Sequence, residues 1–158
     1  QKNDKHVEAA IIKMELSAFS DRIATQLSGG EQARVLIARA LAQDTSILMA
    51  DEPTASLDPA NQISTLKTFS ELAEAGKGII ASIHDLGLAA RYCTKLALLD
   101  RGKLVAFGPA DEVLTPDNLR TVFSIEAHYE KTKQGVIFQP LSVLKKSNKN
   151  FDQGDTLK

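Results

Sequence analysis

A chain of 158 residues, 43% hydrophobic and 25% charged, has an ordinary globular composition and enough length to bury a core. Its formal net charge of −1 provides no basic field, so composition gives no footprint of a nucleic-acid binder. The single cysteine, Cys93, cannot form an internal disulfide, and no apolar run approaches the roughly 20 residues that cross a bilayer. With no signal-peptide pattern at the start either, a cytosolic, reducing location is expected. The first residue is Gln1 rather than Met, which suggests that the natural start lies elsewhere.

Taken in chain order, residues 4–19 place Val7, Ile11, Ile12, Leu16 and Phe19 near helical spacing. A second helix is predicted from about Gly30 to Gln43, with Leu36, Ile37, Ala40 and Leu41 on one face. Ser28 and Glu31 have the S-x-x-E spacing of a capping box, which makes Ser28 the expected N-cap. "SILMA" (46–50) reads as a short strand buried on both faces. Asp58-Pro59 is a helix start, and Ile63, Leu66, Phe69, Leu72 and Ala73 carry the 3.6-residue period until Gly76 stops it. "GIIASIHD" (78–85) is a second buried strand, after which Asp85 caps a helix to about Tyr92. A hairpin turns at Arg101-Gly102, Thr115-Pro116 opens a short helix, and residues 127–140 suit a terminal hairpin. From Lys145 the chain is polar and lysine-rich and is expected to fray. Alternating strands and helices give an α/β fold with a mainly parallel sheet.

Chemistry concentrates at the ends of the two apolar strands. Ligands of open parallel sheets gather beyond the carboxyl ends of the strands. "ILMADE" brings Asp51 and Glu52 to such an end. An aspartate there can hold Mg²⁺, usually through water, and the adjacent glutamate can take a proton from an attacking water. The plainer alternative is that the pair opens the turn at Pro53. In "LSGGE", Ser28 can bond an oxyanion, while Gly29 and Gly30 let backbone N–H groups approach one without a Cβ in the way. The helix that follows aims its positive end at the same place. An ordinary capped helix after a glycine turn has the same residues. His84 ends the second strand on the same edge as Glu52 and could contact a terminal phosphate, or serve only as a structural hydrogen-bonder. Arg34, Arg39 and Lys67 are expected on solvated helix faces and Cys93 in the core; His6 and His128 join no constellation.

The order of these signals is more telling than any one of them. Glycine signature, helix, acid-tipped strand, "SLD", helix and histidine-tipped strand resemble, step by step, the ATP-binding cassette (ABC) ATPases over about residues 4–125. On that resemblance Leu27, Ser28, Gly29, Gly30 and Glu31 are the ABC signature, and "ILMADE" is the Walker B strand. Ser56 to Asp58 is the D-loop, with Ser56 and Asp58 as nucleotide-site residues, and His84 is the switch histidine. The implied assignments are Asp51 to Mg²⁺, Glu52 and His84 to catalysis, and ATP with Mg²⁺ as cofactors. The stretch from Leu98 to Tyr129 looks more narrowly like importers of the iron–siderophore, haem and cobalamin group.

The phosphate cradle of this family, Walker A, reads G-x-x-x-x-G-K-S/T. Of the nine glycines only Gly76 and Gly102 precede a lysine, and neither has the rest of the pattern. No glutamine loop precedes the signature. The implied fold is therefore a P-loop NTPase-like, mainly parallel sheet flanked by helices, lacking its N-terminal half. Residues 1–145 would be the C-terminal part of an ABC ATPase domain and 146–158 a polar tail. In the family the Walker A strand lies between the strand ending at His84 and the strand at 96–100. Without it, 46–51 and 79–83 should pair with each other and 96–107 should form a separate ribbon.

The resemblance further implies a homodimer of ATPase subunits, the signature of one facing the Walker A of the other. Transmembrane permease subunits, indirectly a substrate-binding protein, and a peripheral place on the cytoplasmic face of the inner membrane also follow from it. Two other classes share features: chromosome-maintenance and repair ATPases, and non-catalytic dimerisation modules. The first carries long coiled coils, and no heptad run or basic stripe occurs here. The second would suit a chain without a nucleotide grip, although Glu52 and His84 point to a working ATPase.

Overall fold

The computed structural model describes residues 2–144; the polar tail lies outside the described residues. The chain divides between Thr94 and Lys95 into two compact units.

The first unit begins with helix α1, Lys2–Lys13. The helical period does not carry through to Phe19: the chain turns at Glu15 with φ 55° and continues as 3₁₀ turns at Ser17–Phe19 and Ala24–Gln26. Helix α2, Gly29–Ala42, starts from the expected Ser28 cap. Strand β1, Ile47–Ala50, precedes helix α3, Pro59–Glu74, whose N-cap Asp58 accepts from the Asn61 N–H at 3.0 Å. Gly76 ends that helix with φ 92°, a left-handed conformation that costs glycine nothing. Strand β2, Gly78–Ala81, and helix α4, Leu86–Tyr92, complete the unit, with Asp85 capping α4 through the Leu88 N–H.

The core of this unit is Ala10, Met14 and Leu16, Ile37 and Ala38 of α2, Leu48 of β1, and Leu66 and Phe69 of α3. Burying a side chain such as Leu66 or Phe69 stabilises by roughly 1.5–3 kcal/mol. Strands β1 and β2 are parallel, from Ile47 opposite Gly78 to Ala50 opposite Ala81. At their N-terminal ends Lys77 donates to the Thr45 carbonyl, which pins the starts of both strands together. Their faces differ. Leu48 packs inward, but Met49 is 74% exposed, and Ile47 and Ile80 are each 56% exposed. The expectation of strands buried on both faces is therefore corrected: helices of this unit cover one face, and among the described residues nothing covers the other. Cys93, expected in the core, is half-buried just after α4, and burial pushes its thiol pKa up.

The second unit opens with an antiparallel hairpin of β3, Leu96–Asp100, and β4, Lys103–Gly108. Arg101 and Gly102 both have positive φ, 49° and 77°, as a two-residue hairpin turn of the favoured twist requires. The short helix α5, Ala110–Val113, packs on both strands of this hairpin. Thr115 caps the one-turn helix α6, Pro116–Asn118, which runs into a π-helical turn at Leu119–Phe123. A second hairpin, β5 (Ile125–Thr132) with β6 (Gly135–Val143), follows, with a register shift between Glu126 and Ala127.

The strands thus form three two-stranded sheets, and the parallel part is the β1–β2 pair. As expected, β2 pairs with β1 while β3 pairs with β4 in a separate ribbon. None of the described helices is long and apolar enough to cross a membrane.

Candidate functional site

The site grows out of the carboxyl ends of β1 and β2. The ladder runs one step past the strands, where the Ser82 N–H donates to the Ala50 carbonyl at 3.1 Å. That register sets Ser82 beside Asp51 and Glu52. The Ser82 hydroxyl donates to Asp51 Oδ1 at 2.6 Å, and the same Oγ accepts from the Glu52 N–H at 2.8 Å. Two residues on, His84 Nε2 lies 2.6 Å from Glu52 Oε1. An ionised Glu52 can only accept, so in that state Nε2 carries the proton and donates. Glu52 has φ 46°, a left-handed conformation that costs a non-glycine residue about 1–2 kcal/mol. Three contacts hold it there: Ser82 on its N–H, Ala55 donating to its carbonyl at 3.2 Å, and His84 on its carboxylate. The group is open to solvent, with the His84 side chain 79% exposed.

The glycine signature forms a second cluster. Ser28 Oγ accepts from the Glu31 N–H at 3.3 Å, and Glu31 Oε2 accepts from the Ser28 N–H at 2.7 Å, a complete capping box. Hydrogen bonds from Ser28, backbone then side chain, hold the Glu31 carboxyl below its ordinary pKa, helped by Arg22 and Arg34. Leu27 is buried and anchors the turn, and its carbonyl accepts from Gln32 Nε2 at 2.9 Å. A Cβ on Gly29 would meet nothing within 4 Å, so this side of the helix start is open to a ligand. A Cβ on Gly30 would lie 3.5 Å from Leu57 Cδ2, so the "SLD" loop packs directly on the signature through its buried leucine.

Asp58 closes that loop. Its carboxyl is held below its ordinary pKa by Asn61, backbone then side chain, with smaller help from the Ala60 backbone and Arg34. Arg34 thus acts on the caps of both α2 and α3. A carboxyl with a depressed folded pKa contributes stability that is full above its unfolded value, near 4, and lost as pH falls through the folded one. The thermal midpoint is accordingly expected to hold from pH 7 to about 5 and to drop below about 4. Asp58→Asn keeps a good cap that does not titrate, so it should flatten that drop. An acid profile identical to the parent's would remove Asp58 from the account.

A cleft of about 250 Å³ opens beside the first cluster, at Asp51 and Glu52. Its lining includes Ala33 and Leu36 of α2, Met49 of β1, and the polar residues Asp51, Glu52 and Ser56. The sequence-predicted residues therefore fall into two groups. Asp51, Glu52 and His84 are joined by hydrogen bonds through Ser82 or directly, and Ser56 lines the same cleft as Asp51 and Glu52. Leu27 to Glu31 and Asp58 gather near Arg34. Among the described residues no three His, Cys, Asp or Glu side chains form a metal cluster. A lone strand-end carboxylate suits Mg²⁺, which keeps most of its water and takes one or two carboxylates plus substrate phosphates. Sequence reasoning does not find Ser82 or Arg34. The signal for Ser82 is its two-residue spacing from His84, which puts both on one face of an extended chain. Arg34, expected on a solvated face, is half-buried, with Nε enclosed.

Residues 1–55 match the family model described as ABC transporter. Over 118 residues the chain is 47% identical to a cobalamin import ATP-binding protein of Halobacterium salinarum, covering 74% of this chain and 30% of that protein. It is 46% identical over 130 residues to a hemin import ATP-binding protein of Bordetella parapertussis, covering 77% and 50%. The chain belongs to the ATP-binding cassette ATPases. Among solved structures, an inward-facing metal-chelate type ABC transporter superposes with TM-score 0.75 at 28% identity, over 87% of this chain and 57% of that one. An ATP-binding cassette solved as a dimer with ADP and Pi gives TM-score 0.61 at 31% identity, over 67% and 46%. This ABC chain spans about half, or less, of the curated relatives it matches.

Proposed function

We propose that this chain supplies the hydrolytic strand ends and the signature of an ABC importer ATPase, as a C-terminal part of its ATPase domain over residues 1–145, followed by a polar tail at 146–158. The observation that carries this reading is the Asp51–Ser82–Glu52–His84 network at the carboxyl ends of two parallel strands. Bound Mg²⁺ would supply positive charge to the phosphate oxygens of ATP. Asp51 would hold that ion through its water shell, and Glu52 would accept the proton of the attacking water. His84 keeps Glu52 oriented and reaches the γ-phosphate. Ser28 and the N–H groups at Gly29 and Gly30, with Leu27 and Glu31 fixing the turn, offer donors to the γ-phosphate held by a second copy of the cassette. Ser56 and Asp58 lie along that same dimer face.

The relatives' names support an importer for haem or cobalamin, and an iron–siderophore complex is the third cargo that the same reading allows. A homodimer of ATPase subunits docked under transmembrane permease subunits, on the cytoplasmic face of the inner membrane, fits that reading. A substrate-binding protein enters only through the permease, and no nucleic acid is involved.

Within these 158 residues no phosphate loop of the Walker A pattern occurs, so contacts to the α- and β-phosphates must come from another segment. The chain by itself is expected to give only background phosphate release with Mg²⁺ at millimolar ATP. Adding a phosphate-loop half of an ABC cassette should restore metal-dependent turnover that disappears with Glu52→Gln. Turnover by the chain alone that is sensitive to Glu52→Gln would overturn this division of labour.

A further inference from the structure

We propose that Ser82 is a positioning residue of this site, setting the geometry between the Asp51 carboxylate and the Glu52 backbone through one hydroxyl. The inference rests on the proposed function for what the two acids do, but its geometry stands independently. A serine hydroxyl has one proton to give and lone pairs to accept with. Here the proton goes to Asp51 Oδ1 at 2.6 Å and a lone pair takes the Glu52 N–H at 2.8 Å. The first distance lies in the short range of hydroxyl-to-carboxylate bonds, which are about twice as strong as neutral ones. The second ties down a residue in a left-handed conformation, φ 46°, at the point where the chain leaves the strand.

Packing does not explain this serine. Ser82 is exposed, and its backbone already completes the ladder through the Ala50 carbonyl. Only the hydroxyl joins the two acids. The parallel register makes the contact possible: Ala81 lies opposite Ala50, so the first residue beyond β2 comes level with the first residue beyond β1. His84, two residues further, then holds the other end of Glu52 at 2.6 Å. The base is fixed at its backbone by Ser82 and at its carboxylate by His84. The Asp51 carboxylate is fixed to the same oxygen that holds the Glu52 backbone.

The test uses the cassette completed by a phosphate-loop half, with Ser82→Ala and Ser82→Thr beside Glu52→Gln. Alanine removes both hydrogen bonds, and threonine keeps the hydroxyl on a side chain at home at a strand end. Ser82→Ala should lower kcat about 10–100-fold, the range for partners that orient first-contact groups, with KM for ATP unchanged. Exchange of the Glu52 amide hydrogen should become roughly 2–10-fold faster, as loss of a net hydrogen bond predicts. Ser82→Thr should restore most of both. With Glu52→Gln inactive, a parental kcat in Ser82→Ala, or an unchanged Glu52 exchange rate, would overturn the proposal. So would a loss that threonine fails to rescue. Full turnover in Glu52→Gln would instead overturn the functional reading; faster Glu52 exchange in Ser82→Ala would still uphold the clamp.

Discussion

Glu52→Gln is expected to lower ATP turnover of the completed cassette about 10²–10⁴-fold while nucleotide binding persists, because only basicity at one oxygen changes. The surrounding contacts predict that clean separation. His84 Nε2 meets Glu52 Oε1 at 2.6 Å, and an amide oxygen at that place still accepts from an N–H. Ser82 holds the backbone N–H of residue 52, which substitution of the side chain leaves in place. The left-handed turn at φ 46° is therefore retained, and with it the position of Asp51. Single-turnover phosphate release, paired with equilibrium binding of the nucleotide, separates the two effects. His84→Ala provides the contrast: it removes the group that orients Glu52, so turnover should fall while binding is retained. Release at the parental rate in Glu52→Gln would deny Glu52 the role of base.

What can be read from the sequence is what depends on neighbours along the chain. The caps at Ser28, Asp58, Asp85 and Thr115 are legible because a side-chain oxygen and the N–H it satisfies lie three residues apart. The Arg101-Gly102 turn is legible from its immediate neighbours too, since Gly102 takes a positive φ freely between two apolar runs, while Arg101 bears the cost of φ 49°. The acid pair and His84 announce themselves as polar ends of apolar strands. Ser82 does not, because its partners are 31 and 30 positions away and depend on lateral strand register. Arg34 likewise acts on Asp58 only through the packing of the loop on α2. Apolar character also misleads. Ile12 and Leu36 are each 63% exposed despite fitting a helical period, because a pattern states what can be buried, not what covers it. Residues 4–19 carry a helical period across Glu15, where local backbone geometry breaks the helix.

The chain on its own is expected to self-associate through the bare side of its parallel pair. Met49 at 74% exposure, with Ile47 and Ile80 at 56%, presents three large apolar side chains on one face of a sheet only two strands wide. Full burial of each such side chain is worth roughly 1.5–3 kcal/mol, so covering even part of this face outweighs one or two tenfold steps in association. The outer edges of the same strands offer N–H and C=O groups that another chain can pair with, which gives the association direction as well as energy. Sedimentation velocity from micromolar concentrations upward should show mass rising with concentration, and the thermal transition should be broad and shift with it. Met49→Lys combined with Ile80→Lys sets charge on that face without touching Leu48 or Ile79, which face the core side, so it should raise the dissociation constant at least about tenfold. Supplying a phosphate-loop half should suppress the association in the parent chain by competing for the same strands. A monomer with a sharp, concentration-independent transition would show that the bare face is stable in water and that the two strands need no third.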